Sequence, residues 1–176
     1  MTRKVLTIRQ PWAWAIFNAG KRIESRSRRD GRMPPMCKHR GELWIHAACT
    51  MGVGEHERAC EWMYKRGLVM RPHHPNMVDW AGSIYSREAL PLGAIIGRVR
   101  VVGSIAPYYI RDEKIEHVPD LHLEDSNGEP LDLRWWTGGH GLVLADPEQL
   151  PEPIPWRKGQ QQLWTMPDEL AAQMPE

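Results

Sequence analysis

The sequence predicts an α+β fold, a small mixed β-barrel with flanking helices and a long insertion. Three observations point there. Short apolar or alternating segments recur along the chain, few stretches have helical period, and no internal repeat or second domain is visible among the 176 residues. That length suits one domain, read here as residues 1–176.

The elements follow in order. Val5 to Ile8 is a short apolar strand. Gln10-Pro11 punctuates it, and Pro11 suits the first turn of a helix over Trp12 to Asn18, with Gly20 closing its end. Ile23 to Ser27 alternates apolar and polar residues as a half-buried strand does. Residues 28–40 hold Gly31, Pro34, Pro35 and many charges, which predicts a loop. Glu42 to Ala48 reads as a buried strand. Glu55 to Arg66 has helical spacing, with Ala59, Trp62 and Met63 on one side and Gly67 as its stop. Ala94 to Ile105 is the strongest strand, with Gly97 marking a bulge or bend. Gly141 to Ala145 is another, followed by a proline-rich stretch through Pro155 that routes the chain. Gln162 to Met166 closes the set, and Asp168 to Gln173 reads as a terminal helix. Residues 67–90 lack a period and read as an insertion. Residues 108–134 read as a second insertion or long loop, with eight acids and three bases over 111–134.

Composition narrows the class. Hydrophobic residues make up 41%, enough for a packed core. No apolar run approaches a membrane span, so no membrane partner is expected. Cys37, Cys49 and Cys60 are odd in number and lack CxxC spacing. They read as free thiols of a reducing compartment, hence cytoplasmic. The N-terminus has no signal-peptide pattern. Adjacent His73 and His74 would diverge on a strand, and Cys37 with His39 has no second pair, so neither metal nor cofactor is expected. There is also no GxSxG, P-loop or GxGxxG.

The net charge of +1 hides an asymmetry. Residues 1–40 carry eleven Lys/Arg and two acids, a local +9; the other 136 carry twelve and twenty, a local −8. A basic segment on a near-neutral chain fits an anionic partner met on one face. Spread over the folded surface, the same charges would mean much less. Nine Trp against one Phe is also unusual, since tryptophan suits cores and suits stacking on bases.

Within the basic segment, Lys21 leads into a strand on which Glu24 and Arg26 share a face, because side chains alternate. The pair can brace the fold as an ion pair. It can also offer a carboxylate and a forked guanidinium to one ligand, with Lys21 as a movable positive point. Trp12 can stack on a base or plug the helix against the barrel. His46 on the strand Glu42 to Ala48 is either a satisfied, half-buried histidine or, facing a cleft, an acid–base candidate.

Four motifs carry a family likeness. Gln10-Pro11-Trp12-Ala13 is followed by Lys21, Glu24 and Arg26 at K-x-x-E-x-R spacing. Arg40 to Ala47 reads R-G-E-L-W-I-H-A, and Leu90 to Gly97 reads L-P-L-G-A-I-I-G. Trp136, Gly141 to Pro147, Lys158-Gly159-Gln160 and Leu163-Trp164 follow. In this order they resemble ASCH domains of the PUA-like superfamily, over nearly the whole chain apart from roughly 67–88 and 108–133. The resemblance implies a cleft beside the barrel that binds RNA, single-stranded nucleic acid or a nucleotide. Gln10, Trp12, Lys21, Glu24, Arg26, Arg28 and Arg40 would line it on a monomer linked to RNA metabolism. The alternative it implies is a small metal-free hydrolase, ribonuclease or N4-acetylcytidine amidohydrolase-like, with Lys21, Glu24 and His46 as catalytic groups. The amidohydrolases use a Lys and a Thr three residues on. Lys21 matches, while Glu24 stands at the threonine position. A third class is a scaffold that interacts through its Trp- and proline-rich surfaces.

Overall fold

The computed structural model describes residues 2–26, 34–70, 87–105, 110–111, 114–115, 128, 130–137 and 139–175. The expected insertion over 67–90, and most of the one over 108–134, lie outside them. The chain divides into two compact units: residues 1–20, 42–99 and 147–176 in the first, residues 21–41 and 100–146 in the second. Two long strands, β4 (Ala94–Ile105) and β7 (His140–Pro155), contribute residues to both.

In the first unit, β1 (Lys4–Ile8) runs parallel to β3 (Gly41–Ala47), with Val5 opposite Trp44 and Thr7 opposite His46. On its other side β1 pairs antiparallel with β8 (Leu163–Thr165), with Val5 opposite Trp164. The hydrogen-bonded order is β7-β4-β3-β1-β8, so the sheet is mixed, as expected. From Leu43 to Ala47, β3 is buried at every residue. A central strand covered on both faces needs no alternation, which explains its continuous apolar run. Val5, Trp44, Ile95, Trp164, Met166, Leu170 and Met174 form one core cluster, closed by α3 (Asp168–Ala171).

Two helices complete this unit. α1 (Trp12–Asn18) buries Ala13, Ala15 and Ile16. It stops where Gly20 takes φ +68°, a conformation glycine adopts without penalty. α2 (Val53–Lys65) buries His56, Ala59, Cys60 and Met63, one stripe at helical spacing. Its end is closed by Gly67 N–H on the Tyr64 carbonyl (2.9 Å) and Leu68 N–H on Met63 (3.0 Å), with Gly67 at φ +64°.

In the second unit, β2 (Ile23–Arg26) pairs antiparallel with the first half of β7, with Glu24 opposite Leu142 and Arg26 opposite His140. The order there is β2-β7-β4. Ile23, Val101, Ile105, Trp135, Leu142 and Leu144 are buried. Pro35–Lys38 and Leu133–Trp135 form single 3-10 turns inside segments expected to be loops. β5 (Ile110–Arg111) and β6 (Lys114–Ile115) pair with each other.

Two expectations are corrected. The prolines after Ala145 do not end the strand, because β7 continues to Pro155. Pro147, Pro151, Pro153 and Pro155 all fall at odd positions, so their nitrogens share one edge of the strand. Pairing with β2 covers only His140 to Val143, so a row of missing N–H groups along that edge removes no bond to β2. Gly97, in turn, marks a close approach: a Cβ there would lie 2.5 Å from the Glu148 carbonyl oxygen and 2.6 Å from the Phe17 ring. Gly103, on the same strand, has only the Val143 side chain at 3.5 Å. Gly97→Ala is therefore expected to destabilise by about 1–3 kcal/mol, as overpacking does, and Gly103→Ala by much less. Urea unfolding of both variants checks this, and equal midpoints would contradict it.

Candidate functional site

The second unit gathers charge around one carboxylate. Glu24 lies on β2, and its Oε2 accepts from the Lys21 ammonium. Its Oε1 faces the Arg26 guanidinium at 3.0 Å. Lys21 and Glu24 are sealed, with side chains 3% and 8% exposed, whereas Arg26 is 24% exposed. The alternation of β2 puts Glu24 and Arg26 on one face, as the sequence predicts, and Lys21 reaches the carboxylate from just before the strand.

Two cations share this one anion, so the trio carries a surplus positive charge in a buried place. Burial holds the Lys21 ammonium below its usual range; Glu24 opposes this and Arg26 adds to it. Burial pushes the Glu24 carboxyl up, but Lys21 and Arg26 outweigh it together, by charge and hydrogen bonds, and the net direction is down. Glu24 therefore stays ionised, and Lys21 is the member that yields a proton most easily.

Further groups converge on the same face. His140, buried on β7, is the cross-strand partner of Arg26. Cys37 is a buried thiol raised by its burial and drawn back down by Arg26 and Arg40, so both guanidinium groups lie within its electrostatic reach. Arg40 is exposed; it donates to the carbonyls of Cys37 (2.8 Å) and His39 (2.7 Å) and to Ser104 Oγ (3.1 Å). His140 and Cys37 were not anticipated. The antiparallel pairing that sets His140 beside Arg26 is long-range, and no local spacing announces it. Arg28 lies outside the described residues.

Gln10, Trp12 and His46 belong to the first unit. Gln10 is buried, donating to the Pro91 carbonyl (3.1 Å) and accepting from Trp14 N–H (2.9 Å), one of the open donors at the start of α1. Trp12 is half-buried and meets Trp62 of α2 edge to face, centroids 5.1 Å apart. The Arg66 guanidinium covers Trp62 at 3.9 Å.

His46 is fully buried with both ring nitrogens engaged. Nε2 lies 2.8 Å from the Trp156 carbonyl, which can only accept, so Nε2 carries the proton. Nδ1 then accepts from Thr7 Oγ1 (3.2 Å), whose oxygen accepts in turn from Trp164 Nε1–H (3.1 Å). Gly159 packs on the ring so closely that a Cβ there would overlap it. The ring is a satisfied strut under residues 156–159. Among the described residues no cluster of three or more His, Cys, Asp or Glu is placed to hold a metal. No helix of the described residues is long and apolar enough to cross a membrane.

Residues 6–130 match the family model of the ASCH domain, well over half of the chain. The chain belongs to the ASCH domain family. ASCH domains are PUA-like and are often linked to RNA binding. Among solved structures, the chain is similar to the ASCH protein of Zymomonas mobilis, at 12% identity and TM-score 0.43, covering 97% of this chain and 91% of that one. Two mutant forms of the same Zymomonas mobilis protein give 13% and 12% identity, both with TM-score 0.44, covering 98% and 97% of this chain and 96% and 92% of theirs. The family assignment rests on the sequence match. No curated protein matches the chain at a significant level.

Two outcomes are expected. Glu24→Gln leaves Lys21 and Arg26 without their counter-charge and should cost about 3–5 kcal/mol in chemical denaturation; a loss well under 1 kcal/mol would show that the trio is solvated. His46 is held below its usual range by burial, against the Trp156 hydrogen bond. A depressed histidine contributes stability above the unfolded pKa of about 6.5 and loses it as pH falls through its folded value. Melting temperature should therefore drop between pH 7.5 and 5, with a shallower drop in His46→Gln. Parallel slopes for the two proteins would assign the pH dependence elsewhere.

Proposed function

We propose that this ASCH domain binds single-stranded RNA or a nucleotide through the basic cluster of its second unit, as a binding module in RNA metabolism. The observation that supports this reading most is the setting of Arg26. A buried carboxylate fixes its guanidinium while leaving it partly open to solvent, and Arg40, fully exposed, lies near the same thiol. A planar fork held in one orientation suits phosphate oxygens and base edges. Lys21 and Glu24, being sealed, serve as the frame that orients Arg26. The local excess of +9 over residues 1–40, which includes Arg28, fits a polyanionic strand. The reading extends to a monomer in a reducing compartment, which three free thiols fit.

Filter binding with a single-stranded oligoribonucleotide tests it. Affinity should fall between about 50 and about 200 mM salt, with a log–log slope near −0.7 for each phosphate neutralised. Arg26→Ala with Arg40→Ala should weaken binding tenfold or more and flatten that slope by about one per lost phosphate contact. No detectable binding at low salt by folded protein would end this reading.

A further inference from the structure

The charge balance at Glu24 asks for a third partner. One buried carboxylate is shared by a buried ammonium and a partly exposed guanidinium, and Arg40 adds a second guanidinium near Cys37. Each positive charge removed from water costs free energy unless it is matched by an anion. The trio can reach balance in two ways: Lys21 gives up its proton, or an anion settles against Arg26. We propose that this cluster is a proton-linked anion site, in which a phosphate group binds between Arg26 and Arg40 and Lys21 takes up a proton as it binds.

The inference rests on the anion-binding reading above and adds to it a ligand class, the phosphodiester, and a coupling. The geometry that carries it is the relay through Glu24. Arg26 holds Oε1, where solvent can reach the guanidinium; Lys21 holds Oε2, where it cannot. With no anion bound, Lys21 is the weakest holder of a proton in the trio, since Arg26 is a far stronger base. An arriving phosphate supplies the missing negative charge near the carboxylate and makes the charged ammonium favourable again. The proton comes from solvent and goes to Nζ; no bond other than N–H forms.

The neighbouring charged groups are few enough to separate. On the same strand segment Arg22 donates to the Lys21 carbonyl (3.3 Å) and remains charged throughout. From the segment 34–40 come Cys37, His39 and Arg40, and Cys37 is a neutral thiol because its burial raises it. From β7 comes His140, opposite Arg26. From the turn Leu133–Trp135, which packs on β2, come Asp132 and Arg134, closed on each other at 2.7 Å. His140 and His39 titrate near neutral pH and Lys21 does so at higher pH, so a pH series with variants separates them.

The experiment is isothermal titration calorimetry of the whole protein with the dinucleotide ApA. Its phosphodiester does not titrate between pH 6 and 10, so any proton exchanged belongs to the protein. Heats measured in buffers of different ionisation enthalpy give the number of protons taken up. Uptake of a fraction of a proton up to one per ApA is expected. Affinity should fall as pH rises through the Lys21 titration, by up to about tenfold per pH unit. Lys21→Arg should bind ApA with that uptake abolished, since a guanidinium keeps its proton. His140→Gln and His39→Gln should keep the uptake. Binding with no proton exchange at any pH overturns the inference, as does uptake that survives in Lys21→Arg. RNA binding without ApA binding overturns it too while leaving the RNA reading intact; failure of both ligands at low salt sinks the RNA reading itself.

Discussion

A carboxylate buried beneath a strand has to be satisfied from inside the protein, and Glu24 is satisfied from both of its oxygens. Lys21 and Arg26 occupy opposite ends of the same group. That arrangement fixes the start of β2, ties the chain leaving α1 to the strand that follows, and aims one guanidinium outward. A buried ion pair is weak evidence for stability on its own, because desolvation cancels much of the attraction. Its consequence here is orientation: the guanidinium that stays partly wet is anchored by one that cannot get wet. The proposed site depends on that division between frame and contact.

The second polar network of the chain works in the other direction. Around His46 every donor has an acceptor: Trp164 indole to Thr7 hydroxyl, hydroxyl to ring, ring to the Trp156 carbonyl. Nothing in that line is left to exchange with a substrate, and burial keeps the ring neutral. Fully satisfied networks rigidify the segments they connect. This one connects β1, β3, β8 and the residues that follow β7, with Gly159 seated against the ring because no larger residue fits.

Much of the fold was legible because the signals were local. α1 spans Trp12–Asn18 and β4 spans Ala94–Ile105, both as the pattern predicts. The pairing of Glu24 with Arg26 on one face follows from the period of a strand, and ASCH membership from four motifs in order. What stayed hidden was non-local. The continuation of β7 through four prolines could not be read, because proline near a strand argues for a break unless one edge is known to be unpaired. Gly97 looked like a bulge because the sequence does not reveal that Phe17 and Glu148 crowd it. The depth of Lys21 was hidden too: composition marks it as one of eleven basic residues, and only burial distinguishes a frame lysine from a surface one.

The proline-bearing stretch of β7 has a further consequence. An open strand edge invites a passing chain to dock by backbone hydrogen bonds, and proteins protect such edges with residues that cannot donate. Pro147, Pro151, Pro153 and Pro155 remove the amide hydrogen at four alternate positions along one side of a long extended segment. An incoming strand would find carbonyls with too few donors between them to build a ladder. The segment can therefore remain extended and exposed without acting as a template for self-association.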